Sequence, residues 1–494
     1  MKYLAVAFVF SCLLLQAVQS SGQTSKNRAA SDLRARSMSP GPLQEPIPAS
    51  FFGLLINKYY DMPIVISFGQ FRFWDDAASW PFIETANGKF DWTPLDDYLG
   101  DLHTQGVDDV FYTLGRTPRW ASFAPKPLAI CDYGLQVPYF EGSCYLPKDL
   151  NPDGTGSNTT WINWVTRIAT HVNDPSYLQT HSHIKYWEIW NEFFRSSTVS
   201  YMNRPKDRGL AYQGTYAQLV RMTEDARCII TGQGSVNGVT CNAPPIDPTA
   251  MIVMPSGAAN APGISQNFLY CNAHPKKGSQ CTTGSRGANA VDIINFHLSV
   301  PHEPLEQSLT SDIATIQGIL QAPELAKPLW SGENSWGTTA NSDFTDPDLQ
   351  AAFVGRYHML LWSLGIPQEF WYGYDFANEG TLWSPQTGVT EAGAAYQQVY
   401  NWMVGATMPS SCFAAGTIWN CPLVGLSGLQ DLVAWDTSLT CSNGVCQTNQ
   451  YYVGTNYVDY KDLAGNTYQI TDGNVPLGIK PILIENGGKL WKGK

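Results

Sequence analysis

The sequence has 494 residues, of which 44% are hydrophobic and 15% are charged. This length exceeds one average domain, but it fits a barrel of roughly 250 to 400 residues followed by one smaller domain. The formal net charge of −12 argues against a nucleic acid as partner, because binding a polyanion needs clustered Lys and Arg.

The N-terminus has the pattern of an export signal. Lys2 supplies positive charge, residues 4–18 are mostly apolar, and residues 17–20 offer small side chains for cleavage, so we predict a signal peptide over residues 1–20. Residues 21–48 are rich in Ser, Arg, Ala and Pro, which predicts a disordered linker. No later stretch is long and apolar enough to span a membrane. We therefore expect a secreted or periplasmic protein with no membrane span after signal cleavage.

Strand-like and helix-like segments alternate from residue 49 to about residue 405. Runs of β-branched and aromatic residues predict strands at 51–56, 69–74, 109–114, 183–192, 251–254, 291–297, 329–333 and 369–375. Helical spacing of apolar residues predicts helices at 93–105, 159–172, 216–227, 311–320, 347–364 and 390–403. This alternation is typical of an α/β domain with parallel strands.

Two of the predicted strands end in a glutamate at the point where polarity returns. The aromatic run 183–192 ends in Asn191-Glu192, and a shorter apolar run ends in Glu333. In a (β/α)8 barrel, side chains at the carboxyl ends of strands build the active site. Two converging carboxyl groups are what cleavage of a glycosidic bond requires, one to protonate the leaving oxygen and one to stabilise the oxocarbenium-like transition state.

The sequence Trp-Glu-Ile-Trp-Asn-Glu at 187–192 resembles the strand-4 signature of clan A glycoside hydrolases, especially the family 39 group of β-xylosidases and α-L-iduronidases. The resemblance covers roughly residues 50–405, although this chain has Phe193 where many clan members have Pro. It implies a (β/α)8 TIM barrel. The resemblance guided the assignment of the less clearly patterned strands, which bring the number of predicted strands to eight. It also implies a retaining double displacement, with Glu192 as acid/base and Glu333 as the strand-7 nucleophile.

Six further residues are candidates for substrate binding: Asn191, Arg72, His297, Trp120, Trp336 and Trp371. Asn191 would hydrogen-bond the sugar 2-hydroxyl. By resemblance to the clan, Arg72 would hold Glu333 ionised, and a structural ion pair is its alternative role. His297 would orient a carboxylate or contact a substrate hydroxyl, unless it is a hydrogen-bonded core histidine. The three tryptophans would form walls on which sugar rings stack, or would simply pack in the core.

Other acidic residues lie near predicted strand ends. Glu188 has the strand parity of Glu192 but lies deeper, so we predict that it is a buried, hydrogen-bonded partner rather than a catalytic residue. The rivals to Glu333 as nucleophile are Glu303, Glu369, Asp375 and Glu379.

The predicted function is a secreted retaining glycoside hydrolase that cleaves a polysaccharide or oligosaccharide, either xylosidase-like or as an endo-glycanase. A transglycosylase of the same clan and a non-catalytic barrel that binds carbohydrate remain alternatives. We expect no cofactor, because Gly232-Gln233-Gly234 lacks the GxGxxG spacing and the sequence contains no P-loop. The sequence does not indicate the oligomeric state.

Ten of the 11 cysteines follow the predicted signal peptide, and they fall in close sequential couples. Each couple lies in a Gly-, Pro- or Asn-rich stretch, which predicts local disulfides typical of exported proteins. The predicted pairs are Cys131–Cys144, Cys228–Cys241, Cys271–Cys281, Cys412–Cys421 and Cys441–Cys446. We expect no metal site, since neither a CxxC pair nor an HExxH motif occurs.

Beyond residue 405 the pattern changes to short β-like runs separated by turns, at 432–435, 451–454, 468–470 and 481–485. This pattern predicts a small antiparallel β-sandwich domain over residues 406–494. It would serve as a structural domain packed on the barrel or as a carbohydrate-binding module.

Overall fold

The computed structural model describes residues 41–124, 131, 142–194, 211–271, 285–425 and 428–487. The predicted signal peptide and most of the predicted linker lie outside these ranges. Ile47, predicted to be in the disordered linker, is buried and exchanges 2.8 Å backbone hydrogen bonds with Ala406 and Gly405. The prediction of disorder is therefore wrong at this position, because an apolar side chain and a backbone partner distant in sequence order a segment that is locally Pro-rich.

In the described part of residues 49–405, nine parallel strand segments form the central sheet and occupy eight positions, because two of them make up β5. They are β1 (Phe52–Leu54), β2 (Gln70–Phe73), β3 (Asp109–Leu114), β4 (His183–Ile189), β5 (Met251–Val253, continued by Gly257–Ala258), β6 (Ile294–His297), β7 (Leu329–Asn334) and β8 (Glu369–Trp371). Each strand pairs with its neighbours in the chain, and β8 pairs with β1.

The two ends of this sheet meet at β5. Its first part pairs with β4, its second part pairs with β6, and a parallel bridge joins Val253 to Ile293. The curled parallel sheet therefore fits the predicted (β/α)8 barrel. Its interior is filled by apolar side chains, including Leu55, Phe111, Val253, Trp330 and Phe370.

Among the residues that the structure describes, seven longer helices accompany the strands: α1 (Thr93–Thr104), α2 (Thr159–Val172), α3 (Tyr216–Thr231), α4 (Pro262–Tyr270), α5 (Leu305–Ile319), α6 (Pro347–Ser363) and α7 (Glu391–Met403). Short α-helices lie at Trp80–Ile83 and Gly287–Ala290. Helix α5 begins at Leu305 rather than at the predicted residue 311, because Leu305 and Leu309 continue the apolar spacing of Ile313 and Ile316.

The C-terminal region forms an antiparallel sheet and a smaller pair of strands. The six-stranded sheet contains β9 (Phe413–Ala415), β10 (Ile418–Val424), β11 (Gln430–Asp436), β13 (Tyr457–Lys461), β14 (Thr467–Gln469) and β16 (Ile482–Asn486), and β12 (Asn449–Tyr452) pairs with β15 (Asn474–Leu477). Val475 and Leu477 of the pair pack against Ala434 and Ile484 of the larger sheet. This arrangement is compatible with the predicted β-sandwich.

Short two-stranded hairpins occur in the barrel region and in the C-terminal region. They are Glu84–Ala86 with Lys89–Phe90, Ser235–Val236 with Val239–Thr240, Trp383–Ser384 with Gly388–Val389, and Cys441–Ser442 with Val445–Cys446.

Four of the predicted disulfides are present: Cys131–Cys144, Cys228–Cys241, Cys412–Cys421 and Cys441–Cys446. Cys271 is also disulfide-bonded, while its predicted partner Cys281 lies outside the described residues. The bridges are consistent with an extracellular or periplasmic protein. In the ranges described above, no helix has the length and apolar character needed to cross a membrane.

Candidate active site

The end of β4 presents Asn191 and Glu192 on an unusual backbone. Trp190 and Glu192 both have positive φ angles, 76° and 47°, which non-glycine residues rarely adopt. The Trp190 N–H donates to the Leu114 carbonyl at 2.7 Å, and the Glu192 N–H donates to Ser256 Oγ at 2.8 Å. Conformations of this kind cost about 1–3 kcal/mol each and cluster at functional sites, where the surrounding structure holds them.

Glu333 lies in β7 where the register with both neighbouring strands shifts, at Phe296/His297 and between Ser331 and Asn334. Such irregularities re-aim side chains beside active sites. The preceding Gly332 is required, because a Cβ there would lie 2.3 Å from Asn295 Oδ1. The Glu333 side chain is 16% exposed, so part of it is accessible to solvent.

His297, at the end of β6, brings the two glutamates together. Its Nδ1 lies 3.2 Å from Glu192 Oε1 and 3.8 Å from Glu333 Oε1. One ligand atom of each of the three side chains lies within 4.8 Å of the others. Burial opposes the imidazolium, but the charges of Glu333 and Glu192 outweigh it and raise the pKa of His297. Among the described residues, this trio is also the group whose geometry would suit a metal ion.

Arg72 is fully buried beneath the glutamates and contacts three acceptors. Its Nη1 donates to Glu333 Oε2 at 3.1 Å, and its Nη2 donates to Glu188 Oε2 at 2.7 Å and to Asn191 Oδ1 at 2.6 Å. Glu188 also accepts hydrogen bonds from Thr113 Oγ1 and Asn295 Nδ2. The prediction that Glu188 is a buried, hydrogen-bonded partner is therefore confirmed.

The Glu333 carboxyl group has a strongly shifted pKa. Burial raises the pKa of Glu333 to about 7, and the negative charge of Glu192 adds to the rise, while His297 and Arg72 oppose it. Interacting carboxyl groups titrate together, so this shift belongs to the coupled site and not to Glu333 alone. A carboxyl group with a pKa of about 7 is present as both acid and carboxylate near neutral pH, and glycoside cleavage needs one group in each form.

This shift gives a prediction about stability. We compare the melting temperature of Glu333→Gln with that of wild type. The variant's melting temperature minus that of wild type is expected to increase by about 1 °C or more from pH 5 to pH 8. The folded wild type keeps a proton on Glu333 that the unfolded chain releases near the ordinary pKa of 4.5, so it loses stability as the pH rises from 4.5 to about 7. His297 acts in the same direction, because its raised pKa stabilises the folded state only while it is protonated.

Calorimetry of the variant and of wild type at pH 5 and at pH 8 checks this expectation. Glu324→Gln, which changes an exposed glutamate outside the site, is the matched control. A difference in melting temperature that stays constant with pH would contradict the shift of Glu333.

Asp75, Arg116 and Tyr372, which the sequence analysis did not single out, form a hydrogen-bonded cluster at the same end of the barrel. Arg116 Nη2 donates to Asp75 Oδ1 at 2.6 Å, and Tyr372 Oη donates to Asp75 Oδ2 at 3.1 Å. The charge of Asp75 contributes to the raised pKa of Glu333, which places this cluster beside the nucleophile candidate. Each residue lies one or two positions after the end of a strand, so the rule that identified Glu192 could have identified them.

Two of the predicted sugar-stacking tryptophans do not face the barrel mouth. Trp371 is completely buried, stacks on His358 of α6 at 5.6 Å, and donates its indole N–H to the Gly380 carbonyl. Trp336 is 1% exposed and packs against Trp371 and Phe353. Their predicted role in substrate binding is corrected to packing between the sheet and α6, because neither ring has a free face.

Trp120 is half-buried, with its indole N–H donating to the Glu84 carbonyl at 2.9 Å and its ring edge-on to Trp80. Its role as a sugar platform stays a prediction.

The rival carboxylates are engaged elsewhere. Glu369 is fully buried and accepts from Asn334 Nδ2 at 2.8 Å, with His358 Nε2 at 3.2 Å. The other three have these partners: Glu303 pairs with Arg356, Asp375 accepts from the Asn57 N–H, and Glu379 accepts from Ser335 Oγ. Glu379 is close enough to the site for the charge of Glu192 to contribute to its raised pKa, after the larger effect of burial.

No protein-family model and no curated protein matches the sequence. The structure is similar to that of a family 39 glycoside hydrolase from the gut symbiont Bacteroides cellulosilyticus WH2, with a TM-score of 0.56, 14% identity, and 91% of this chain and 83% of that chain covered. At that identity, the similarity shows the fold. The chain thus has the fold of a clan A glycoside hydrolase, and the predicted resemblance is confirmed at this level.

Two further solved structures have TM-scores of 0.49. One is a glucosidase from Croceicoccus marinus, at 10% identity with 90% of this chain and 97% of that chain covered. The other is the catalytic domain of a family 30 xylanase C from Talaromyces cellulolyticus, at 11% identity with 91% and 99% covered.

Proposed function

We propose that the protein is a secreted, retaining glycoside hydrolase that cleaves a polysaccharide or its oligosaccharides. The observation that carries this proposal is the placement of Glu192 and Glu333 at the ends of β4 and β7, with one carboxylate oxygen of each within 4.8 Å of the other. Retaining enzymes hold their carboxyl groups about 5–5.5 Å apart, whereas inverting enzymes hold them about 6.5–9.5 Å apart to admit a water molecule. The short separation supports a double displacement.

In the first step, the Glu333 carboxylate attacks the anomeric carbon while Glu192 donates its proton to the glycosidic oxygen. The C–O bond to the leaving group breaks, the leaving group departs as a neutral alcohol, and a covalent glycosyl ester forms on Glu333. In the second step, the Glu192 carboxylate takes a proton from water, and the resulting hydroxide displaces Glu333 from the anomeric carbon. Both carboxyl groups then have their starting protonation states.

The neighbouring residues support these steps. The Arg72 charge favours the carboxylate form of Glu333, which is the form that attacks. Asn191 Oδ1 accepts hydrogen bonds from Arg72 and from Ser256 Oγ at 3.0 Å, so its amide NH2 is oriented to donate to a sugar 2-hydroxyl. A donor held in place before the reaction stabilises charge that develops in the transition state.

The substrate range that we propose is xylosidase-like or endo-glycanase, on the strength of the family 39 resemblance of residues 187–192. Export through the signal peptide at residues 1–20 is part of the proposal, and the four disulfides support it.

The first product of cleavage is expected to keep the anomeric configuration of the substrate, because two inversions restore it. Purified mature protein is screened against aryl glycosides and polysaccharides, and proton NMR follows the anomeric signal of the active substrate before mutarotation.

Appearance of the opposite anomer first would contradict the double displacement. Transfer of sugar to an acceptor with little hydrolysis would identify a transglycosylase. Binding without cleavage of any substrate would identify a non-catalytic carbohydrate-binding barrel.

A further inference from the structure

A groove lies where the C-terminal domain packs on the barrel. Its volume is about 470 Å³, and its lining includes Glu306, Gln307, Thr310 and Ala314 of α5 together with Trp419 and Thr437 of the C-terminal domain. None of these residues belongs to the candidate active site. A volume of roughly 300–1,000 Å³ is typical of pockets that bind small ligands.

One wall of the groove is an aromatic ring with support from behind. Trp419 of β10 and Trp435 of β11 are register partners, and their rings are parallel within 3° at a centroid distance of 6.0 Å. Trp435 is completely buried, whereas Trp419 is half-buried and lines the groove. Stacking on a buried neighbour holds the Trp419 ring in one orientation, so it forms a rigid apolar platform.

A buried glutamate of α5 supports the aromatic wall. Glu306 is 3% exposed, and its Oε1 accepts from Trp435 Nε1 at 2.8 Å and from Arg356 Nη1 at 3.1 Å. Its Oε2 is buried without a hydrogen-bond partner in the described part of the chain. These contacts fix the carboxylate behind the groove, and its hydrogen bond to Trp435 holds the ring on which Trp419 stacks.

We propose that this groove is a second carbohydrate-binding site, which takes one or two sugar units of an uncharged polysaccharide. A sugar ring offers an apolar face to stack on Trp419, and its hydroxyl groups can hydrogen-bond with Gln307 and Thr310, which are exposed on the α5 wall of the groove. Because α5 supplies these polar side chains and the C-terminal domain supplies the tryptophan, the site exists only in the assembled chain.

The test measures retention of the full-length protein on xylan, arabinan and mixed-linkage β-glucan by affinity electrophoresis. Trp419→Ala removes the platform, and Ala314→Trp fills the groove from α5 without touching Trp419. Phe413→Ala, which removes an exposed aromatic ring from neighbouring β9, is the matched control. We expect both groove variants to bind at least one of the three glycans about tenfold more weakly, as truncating a central tryptophan contact does in other interfaces.

Binding in the groove does not depend on catalysis at the candidate active site. Hydrolysis of a small aryl glycoside is therefore measured separately. Unchanged hydrolysis with weakened glycan retention supports the groove, and absence of hydrolysis in the wild type bears only on the proposed function. The inference is overturned if wild type is retained by none of the three glycans, if Ala314→Trp binds as wild type does, or if Phe413→Ala loses as much retention as Trp419→Ala.

Discussion

Replacing Glu333 with Ala is expected to lower kcat/KM on an aryl glycoside by about 10⁴-fold or more, because the covalent step then has no nucleophile. The variant should keep its fold, since burial disfavours the Glu333 carboxylate and a neutral side chain removes that cost. Its loss of activity would therefore report on chemistry and not on unfolding.

Added azide distinguishes the roles of the two glutamates. In Glu333→Ala, azide enters the space left by the carboxylate and attacks the anomeric carbon directly, which gives a glycosyl azide of inverted configuration. In Glu192→Ala, the Glu333 ester still forms on a substrate with a good leaving group, and azide then displaces it to give a glycosyl azide of retained configuration. Product configuration by NMR thus assigns each residue independently of the size of the rate loss.

Glu379→Ala is the matched control for the nucleophile. Glu379 is a rival carboxylate that contacts Ser335 beside the end of β7. We expect it to lose far less activity than Glu333→Ala and to give no azide product. A glycosyl azide of inverted configuration from Glu379→Ala, with none from Glu333→Ala, would transfer the nucleophile role to Glu379.

The parts of the site that could be predicted are those encoded by short, continuous runs. The apolar run that ends in Asn191-Glu192 contains β4, and the shorter run that ends in Glu333 lies in β7, so both carboxylates lie at one edge of a parallel sheet. Arg72 could be placed near Glu333 only through the family resemblance, because the two residues are distant in sequence. The geometry of β5, which is split to pair with β4 and β6 separately, has no comparable local pattern.

The error at Trp371 has a physical cause. Successive side chains of a strand point to opposite faces. Phe370 points into the barrel interior, so Glu369 and Trp371 both point outward, where they meet His358 of α6. Strand alternation therefore removes Glu369 from the list of nucleophiles and Trp371 from the list of sugar platforms. Proximity to a strand end alone does not specify the face on which a side chain lies.

Replacing Arg72 with Met is expected to lower the free energy of unfolding by about 3–5 kcal/mol, the cost of leaving a buried charge without its partner. Glu188 is the charge concerned, since both it and Arg72 have fully buried side chains. Arg72→Lys should recover little of this loss, because one ammonium group cannot reproduce the fork that contacts Glu188, Asn191 and Glu333 together.

The double variant Arg72→Met/Glu188→Gln separates stability from positioning. It removes both buried charges, so chemical denaturation should show most of the lost stability restored. Activity should stay at least about a hundredfold below wild type, because Asn191 and Glu333 are still released from their shared donor. The acidic limb of the kcat/KM profile should also move to higher pH, since the Arg72 charge lowers the pKa of Glu333. If the double variant instead regained activity with an unshifted profile, Arg72 would act only by neutralising Glu188, and the positioning of the catalytic pair would have to come from His297 and Ser256.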